Sequence, residues 1–580
     1  MAGDNVFRLA AMQDAAKDRG RAAPPPPRDG TRPVIRIELG ARSPAADDAE
    51  QALIAANAGI YCQGGRLVRP VVDQTKEAGG GDGRTVRLVD IEAAALLGDF
   101  EKAAIFEKYS AQADDYVTCS CPDYVAAEYL ARGGNWRLPY LMGVACTPIV
   151  RRDGSIVTTL GYDESTGLIY EPLGVDFGEI PGEVTLEDAR AALAVLKHPI
   201  KDFSFANEQS LSVALAGMLT AVVRRALPTA PMFIFTATVA GSGKTKLAEI
   251  LSIMAQGTRP AIITRGHDPR GGDAEFEKRL TGSLLAGDPV ILIDNIEGGV
   301  GGEMLNAMTT GPKMRLRPLG TSKSIEIPIS ALVTGTGNNV TILGDMTRRA
   351  LPSMLDPGVE RPELRTFSFD PVDYVMAHRV QQVVAALTVV RGYIQAGCPM
   401  GGHAPGSFGE WSRLVREPLM WAGEADPWLS TNDARDTDPR LGKLTHVASA
   451  WEALFGVAPV TVRQICDSCQ ELETSEMVDQ NGVRRNIEIR GRFRNRELRD
   501  AVNEAIGGED PRPINANKLA WWLRHNGGRV VAGRKFVMIK EENEPVARWQ
   551  LVGAAPLAKG AAGPHLAESL PLAVDDDIPF

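Results

Sequence analysis

Hydrophobic and polar positions change their period several times along the chain, and those changes outline its organisation. Residues 232–236 form an unbroken apolar run, Met-Phe-Ile-Phe-Thr, and soon afterwards Lys246-Leu-Ala-Glu-Ile-Leu-Ser-Ile-Met254 repeats at helical spacing. Strand-like runs at 232–236, 259–264, 289–293 and 325–334 alternate with helical ones up to about residue 397. That alternation predicts a three-layer α/β domain over 231–397, because strands covered on both faces by helices read as continuous apolar stretches. Residues 184–227 read as helix broken at Pro199, a linker or collar over 183–230. Before it, over 33–182, short runs such as Ser155-Ile-Val-Thr-Thr-Leu160 alternate with Gly-rich turns, which predicts an α+β domain. A helical extension is expected over 398–445 and a further small domain over 446–552. The ends, 1–32 with four consecutive prolines and 553–580 rich in Ala, Pro and Gly, lack the apolar residues a core needs and are expected to be disordered. No repeat of 20 to 50 residues is present, so solenoids and propellers are unsupported.

Composition narrows the class. At 580 residues and 44% hydrophobic the chain has material for about three to four domains. The longest apolar stretch, 211–223, meets Arg224 and Arg225 short of the roughly 18 residues that a spanning helix needs. No secretory pattern opens the sequence, so a soluble cytoplasmic protein without membrane contact is expected. Seven cysteines in so long a chain make no disulfide scaffold and no zinc spacing, which leaves ordinary thiols. A net charge of −10 argues against a wholly basic surface. It leaves room for a nucleic-acid binder whose Lys and Arg are concentrated in one channel.

The chemistry is concentrated after residue 236. Thr238-Val-Ala-Gly241-Ser242-Gly243-Lys244-Thr245 lies between a strand and a helix. Small residues there let backbone N–H groups curl around a phosphate, Lys244 reaches the terminal phosphates, and the Thr245 hydroxyl ligates Mg²⁺. The match is to the Walker A loop of P-loop NTPases, with Thr238 where the first Gly is usual. A second apolar strand, Val290-Ile-Leu-Ile293, ends in Asp294-Asn295-Ile296-Glu297. Asp294 suits a Walker B carboxylate on the metal shell. Since Asn295 replaces the usual acidic neighbour, Glu297 becomes the candidate for polarising the attacking water. A third strand runs into Asn338-Asn339, where Asn339, or else Asn338, is the candidate γ-phosphate sensor. Beyond it stand Arg348 and Arg349, one of them a candidate arginine finger.

The order Walker A, Asp294-Asn295-Ile296, Arg317-Pro-Leu-Gly320, Thr336-Gly-Asn-Asn339, Gly344-Asp345 with Arg348-Arg349, and Arg361-Pro-Glu-Leu-Arg365 resembles the superfamily 3 type AAA+ helicases of phages and integrated elements, often labelled primase-helicases. Weaker likeness continues in Gly161-Tyr162-Asp163 and in 411–421, so the resemblance covers most of 100–550. It implies a P-loop AAA+ core, ATP and Mg²⁺ as cofactors, a finger acting across a subunit interface, and hence a homo-oligomeric ring, most simply a hexamer. It also implies a hairpin before the sensor strand that grips the DNA backbone. Residues 313–328 read as such a hairpin, with Lys323 at its tip and Arg315 and Arg317 on its first arm.

The remaining segments give partners. Over 484–540, Arg490, Arg492, Arg494, Arg496 and Arg499 crowd together, residues 515–524 read as a helix and 528–539 as a hairpin. Helices followed by a β-wing suggest a winged-helix-like DNA-binding domain, with Trp521 and Trp522 expected in its core. Val89-Asp90-Ile-Glu92 loosely resembles the acidic motif of archaeo-eukaryotic primases, but no histidine occurs before His198, so the N-terminal domain reads as a collar or DNA-entry domain. The chain ends Asp575-Asp576-Asp577-Ile578-Pro579-Phe580, which resembles the C-terminal peptide of bacterial single-stranded DNA-binding protein. A terminal Phe for an apolar pocket and aspartates that steer by charge imply host proteins that bind that peptide as partners. The expectation is an ATP-dependent DNA helicase for single-stranded or forked DNA in a bacterial host. The alternative is an origin-binding ATPase platform that recruits host replication proteins without unwinding.

Overall fold

The computed structural model describes residues 32–38, 42–76, 82–265, 272–318, 324–359, 361–364, 368–401, 405–436, 438–478, 484–510, 512–540 and 546–553. Short apolar runs at the start pair as β1 (Val34–Ile37), α1 (Arg42–Ala55), β2 (Tyr61–Gln63), β3 (Arg66–Lys76), β4 (Asp82–Asp90), α2 (Ala93–Ala103), β5 (Ile105–Ser110), β6 (Asp115–Cys119) and α3 (Asp123–Ala131). β1 lies parallel to β5, β6 closes that sheet antiparallel, and β2-β3-β4 form a meander. The helices bury Ala46, Leu53, Phe100, Val125 and Tyr129 in one core. In the expected acidic motif Asp90 is paired with Arg66 at 2.9 Å. Among the described residues no group of three His, Cys, Asp or Glu is placed to hold a metal.

Small strands follow: β7 (Gly143–Ala145), β8 (Ile149–Val150), β9 (Ile156–Val157), β10 (Gly161–Asp163) and β11 (Leu168–Tyr170). Asp163 builds the β10–β11 turn. Its carboxylate accepts from the Ser165 hydroxyl at 2.8 Å and the Thr166 hydroxyl at 2.7 Å and pairs with Arg151, and these partners, led by Arg151, hold its pKa down to about 2. α4 (Leu186–Lys197) opens on a capping box between Thr185 and Asp188. Pro199 lies in a single 3-10 turn after it, and α5 (Glu208–Val223) is buried nearly all round. The apolar stretch at 211–223 is therefore a core helix. No described helix is long and apolar enough to cross a membrane.

Next come β12 (Met232–Ala237), α6 (Lys244–Gln256), β13 (Ile262–Thr264), α7 (Gly272–Ala286), β14 (Val290–Asp294), β15 (Gly299–Val300), α8 (Glu303–Thr310), β16 (Lys313–Leu316), β17 (Ile325–Pro328), β18 (Leu332–Asn338), β19 (Thr341–Ile342) and β20 (Ala350–Leu355). Five of these strands make one all-parallel sheet in the order β13-β14-β18-β12-β20. Because side chains alternate along a strand, Phe233, Phe235, Val290 and Leu292 enter the core shared with α5, α6 and α10 (Arg379–Gln395), the helix that follows α9 (Pro371–Ala377). Met232, Ile234, Ile291 and Ile293 enter the core on the opposite face. Coverage on both faces is why these strands read as unbroken apolar runs.

The expected strand 325–334 is in fact two strands. β17 pairs antiparallel with β16, and the chain then crosses to the large sheet at residues 329–331. The carbonyls at that crossing are not left bare: the guanidinium of Arg224, 2% exposed, donates to Ile329 O at 2.9 Å and to Ala331 O at 2.9 Å.

The chain separates into two compact units, Met1–Asp438 and Pro439–Phe580. In the second, α11 (Pro439–Phe455) runs straight through the expected boundary at 445/446. After it come β21 (Val460–Thr461), α12 (Val462–Gln470), β22 (Leu472–Val478), β23 (Arg484–Phe493), α13 (Arg496–Ile506), α14 (Ala516–Asn526), β24 (Arg534–Ile539) and β25 (Arg548–Gly553). β21-β25-β24 form an antiparallel sheet over a core containing Trp451, Leu519, Trp522, Leu523 and Phe536. Two expectations are corrected here, the hairpin at 528–539 and the burial of both tryptophans, and the arginine run is located. The strand partner of 534–539 is 548–553, not 528–533. The arginine run lies on the long β22–β23 hairpin and the start of α13, with Arg499 turned inward onto Asp510, Cys469 O and Arg512 O. Trp522 is buried, but Trp521 is 56% exposed, since Leu519, Trp522 and Leu523 at i, i+3 and i+4 make the stripe that faces this core and Trp521 lies off it.

Candidate active site

Ligands of open parallel sheets collect at the carboxyl ends of the strands. β12, β14 and β18 end there at Ala237, Asp294 and Asn338. From Ala237 the chain turns through residues 238–243 into α6, with Gly241 at φ 73 and Gly243 at φ 94, conformations that suit glycine. At Gly243 a Cβ would also come within 2.8 Å of the Phe203 ring. Both constraints bring bare backbone to the start of α6, where the first N–H groups of any helix have no acceptor within the helix itself.

The Lys244 ammonium folds back over this loop. It donates to Val239 O at 3.1 Å, to Ser242 Oγ at 3.0 Å and, across the sheet edge, to Asn338 Oδ1 at 2.7 Å. Partial burial lowers its pKa, and the charge of Asp294 opposes that shift. One α6 position later, the Thr245 hydroxyl donates to Asp294 Oδ1 at 3.2 Å. Thr245 and Asp294 thus meet from neighbouring elements, as a hydroxyl and a carboxylate sharing one hard cation must.

A residue without an assigned role completes the carboxylate's setting. Thr336, mid-strand on β18, donates its hydroxyl to the same Asp294 oxygen and accepts the Asn295 N–H at 3.2 Å. The two donors orient Asp294. Asn295 takes φ 52, and the Ile296 N–H bonds Thr336 O at 2.7 Å, so the chain turns sharply after the acid. The sequence showed Thr336 within a run compared with helicases, yet a threonine inside a strand gives no sign of what its hydroxyl touches. Glu297 stands exposed just past that turn.

Between the two sensor candidates the structure separates side chain from backbone. Asn338 carries its amide to Lys244, whereas Asn339, at φ 47, gives its backbone N–H to Ala237 O at 3.0 Å. Of the two candidates, it is the Asn338 side chain that the structure brings to Lys244. Asn338 is the last residue of β18 and stands in register with Ala237 at the loop's start.

Neither Arg348 nor Arg349 is among the described partners of Lys244, Thr245 or Asp294. Both bond Asp345, at 2.7 and 2.6 Å. Arg349 also donates to Asn306 O at 3.0 Å and Thr310 Oγ1 at 3.3 Å, and its side chain is 16% exposed, against 58% for Arg348. Of the two, Arg348 is the one presented to solvent.

The hairpin expected at 313–328 is formed by β16 and β17, with Arg315 opposite Glu326. Arg315 and Arg317 are exposed, and Lys313 pairs with Glu326 at 3.8 Å. An open groove lies beside the hairpin, lined by Lys278, Met304, Lys313, Arg315 and Arg317. Lys323 lies outside the described residues, as do Asp575, Asp576, Asp577, Ile578, Pro579 and Phe580.

No family model matches the chain, and no curated protein does. Among solved structures it is similar to an apo form of the NrS-1 C-terminal region, at 14% identity and a TM-score of 0.33, over 76% of this chain and 91% of that one. A second NrS-1 structure, of residues 305–718, aligns at 12% identity and a TM-score of 0.35 over 87% of this chain and 99% of that one. A JCV helicase bound to a thiazolopyridine-containing acetamide aligns at 11% identity and a TM-score of 0.19, over 43% and 73%.

Proposed function

We propose that this chain is an ATP-driven DNA helicase of a phage, phage satellite or other mobile element, acting as a homo-oligomeric ring, most simply a hexamer, on single-stranded or forked DNA. The observation that carries this reading is the meeting of Lys244, Asn338, Thr245 and Asp294 at one edge of a parallel sheet in which β18 lies between the two strands bearing the loop and the acid.

In this reading Gly241, Ser242 and Gly243 cradle the phosphates and Lys244 exchanges its loop acceptors for the terminal ones. Thr245 and Asp294 are the residues that would hold Mg²⁺, which neutralises phosphate charge when bound. Thr336 keeps the Asp294 carboxylate turned toward Thr245. Glu297 orients the attacking water, Asn338 reports the terminal phosphate to β18, and Arg348 reaches a neighbouring subunit's nucleotide. Arg315, Arg317 and Lys323 contact the DNA backbone without reading sequence, as a translocating enzyme requires. The second unit acts as a winged-helix-like DNA-binding domain: its sheet order and flanking helices support that role. The terminal Asp575–Phe580 peptide draws host replication proteins, and removing Phe580 is expected to abolish their capture.

The decisive experiment is separation of a fluorescent forked duplex with ATP and Mg²⁺, beside Lys244→Ala, with tails of either polarity. Strand separation that disappears in Lys244→Ala is the expected result. ATP hydrolysis and DNA binding without any separation would overturn the helicase assignment.

A further inference from the structure

Trp521 is the one tryptophan of the chain's eight whose ring stands largely in water. Trp411 and Trp451 are fully buried, Trp522 and Trp549 are buried, and Trp136, Trp421 and Trp428 are half-buried. Its indole is not loose. The His525 imidazole, four residues along α14, stacks on it with ring centroids 3.9 Å apart and planes 28° apart, and His525 Nδ1 lies 2.9 Å from Trp521 O. One ring face is therefore covered and the ring is oriented.

The segment carrying that ring bears exposed basic residues. Lys518 stands one turn earlier on the same helix and Arg524 one turn later, both exposed, and exposed Arg529 follows in the loop after α14. Across 439–553 there are eighteen Lys and Arg against fifteen Asp and Glu, in a chain whose overall charge is −10. An exposed aromatic ring on a helix that also bears exposed Lys518 and Arg524 suits a flat, polyanionic ligand. Stacking needs no reading of base edges, because every base has a π face.

We propose that Trp521 is a stacking platform for an unpaired base of a DNA single strand, with Lys518, Arg524 and Arg529 on the adjoining phosphates. This rests on reading the second unit as DNA-binding and gives that unit a single-strand contact distinct from any duplex contact.

The test uses the full chain without nucleotide. An unstructured oligothymidylate is titrated at fixed low salt while tryptophan emission and oligonucleotide anisotropy are followed, and a blunt duplex of matched length is run beside it. The expected result is quenching of emission by the single strand. Trp521→Ala should lose that quenching and bind the single strand about tenfold more weakly, within the range for one stacked base. Trp521→Phe should keep most of the affinity, and both variants should bind the duplex like the parent. Parent-like single-strand affinity in Trp521→Ala, or a loss confined to the duplex, would overturn the proposal. The titration needs neither nucleotide nor strand separation, so the two readings fail separately: quenching by the single strand without forked-duplex separation overturns the helicase assignment alone, and separation without Trp521-dependent quenching overturns the stacking platform alone.

Discussion

At the scale of single residues, the Lys244 ammonium already has three acceptors, so a phosphate must displace them rather than fill an empty place. Asn338 is the acceptor that belongs to another strand. Asn338→Ala is expected to lower DNA-stimulated ATP turnover by about 10²-fold, the scale of losing one preorganised polar group, and Asn339→Ala far less; steady-state hydrolysis rates distinguish them. The arginines should divide in the same way. Arg349→Ala removes a half-buried charged donor from Asn306 O and Thr310, which should cost about 2 kcal/mol in urea unfolding. Arg348→Ala should leave stability within about 0.5 kcal/mol while lowering turnover, because its described ion pair is an exposed one. Lys244, Thr245 and Asp294 were legible because their spacing from strand and helix is set by local chain geometry. The part of Thr336, and which of Asn338 and Asn339 meets Lys244, were not. Which end-of-strand side chain reaches Lys244 depends on β18's register against β12, which is a tertiary property.

At the scale of elements, the central sheet was legible because it is buried on both faces and so writes itself into sequence as apolar runs. The break at 329–331 was hidden because both strands flanking it are apolar, and the Arg224 that takes its carbonyls is about a hundred residues away. Adjacent tryptophans gave no sign of which one faces the core. β18 itself has little room beside its neighbours: a Cβ on Gly337 would lie 2.3 Å from Ile296 O, a backbone atom that cannot swing aside. Gly337→Ala is accordingly expected to destabilise by about 1–3 kcal/mol, read by denaturant unfolding, and to disturb the Asn295 turn with it. The β10–β11 turn gives a pH-dependent counterpart. Asp163 is depressed to about 2, so its contribution is complete above the ordinary carboxylate value of about 4 and is lost as pH falls toward 2. Thermal midpoints of the parent and Asp163→Asn should therefore differ at neutral pH and converge between pH 4 and 2.

At the scale of the whole molecule, two compact units divide at Asp438. The unit before it contains Lys244, Asp294, Asn338 and Arg348, and the unit after it contains the exposed Trp521. One consequence concerns force. The hairpin β16–β17 is rooted where the chain passes residues 329–331, and Arg224, just past the end of the largely buried α5, clamps two carbonyls of that root. A buried charged donor that holds two backbone carbonyls at once lowers the compliance of the hairpin's base. If the hairpin grips a nucleic-acid strand as proposed, softening that base should produce slippage, with ATP consumed at the usual rate and fewer bases advanced per molecule hydrolysed.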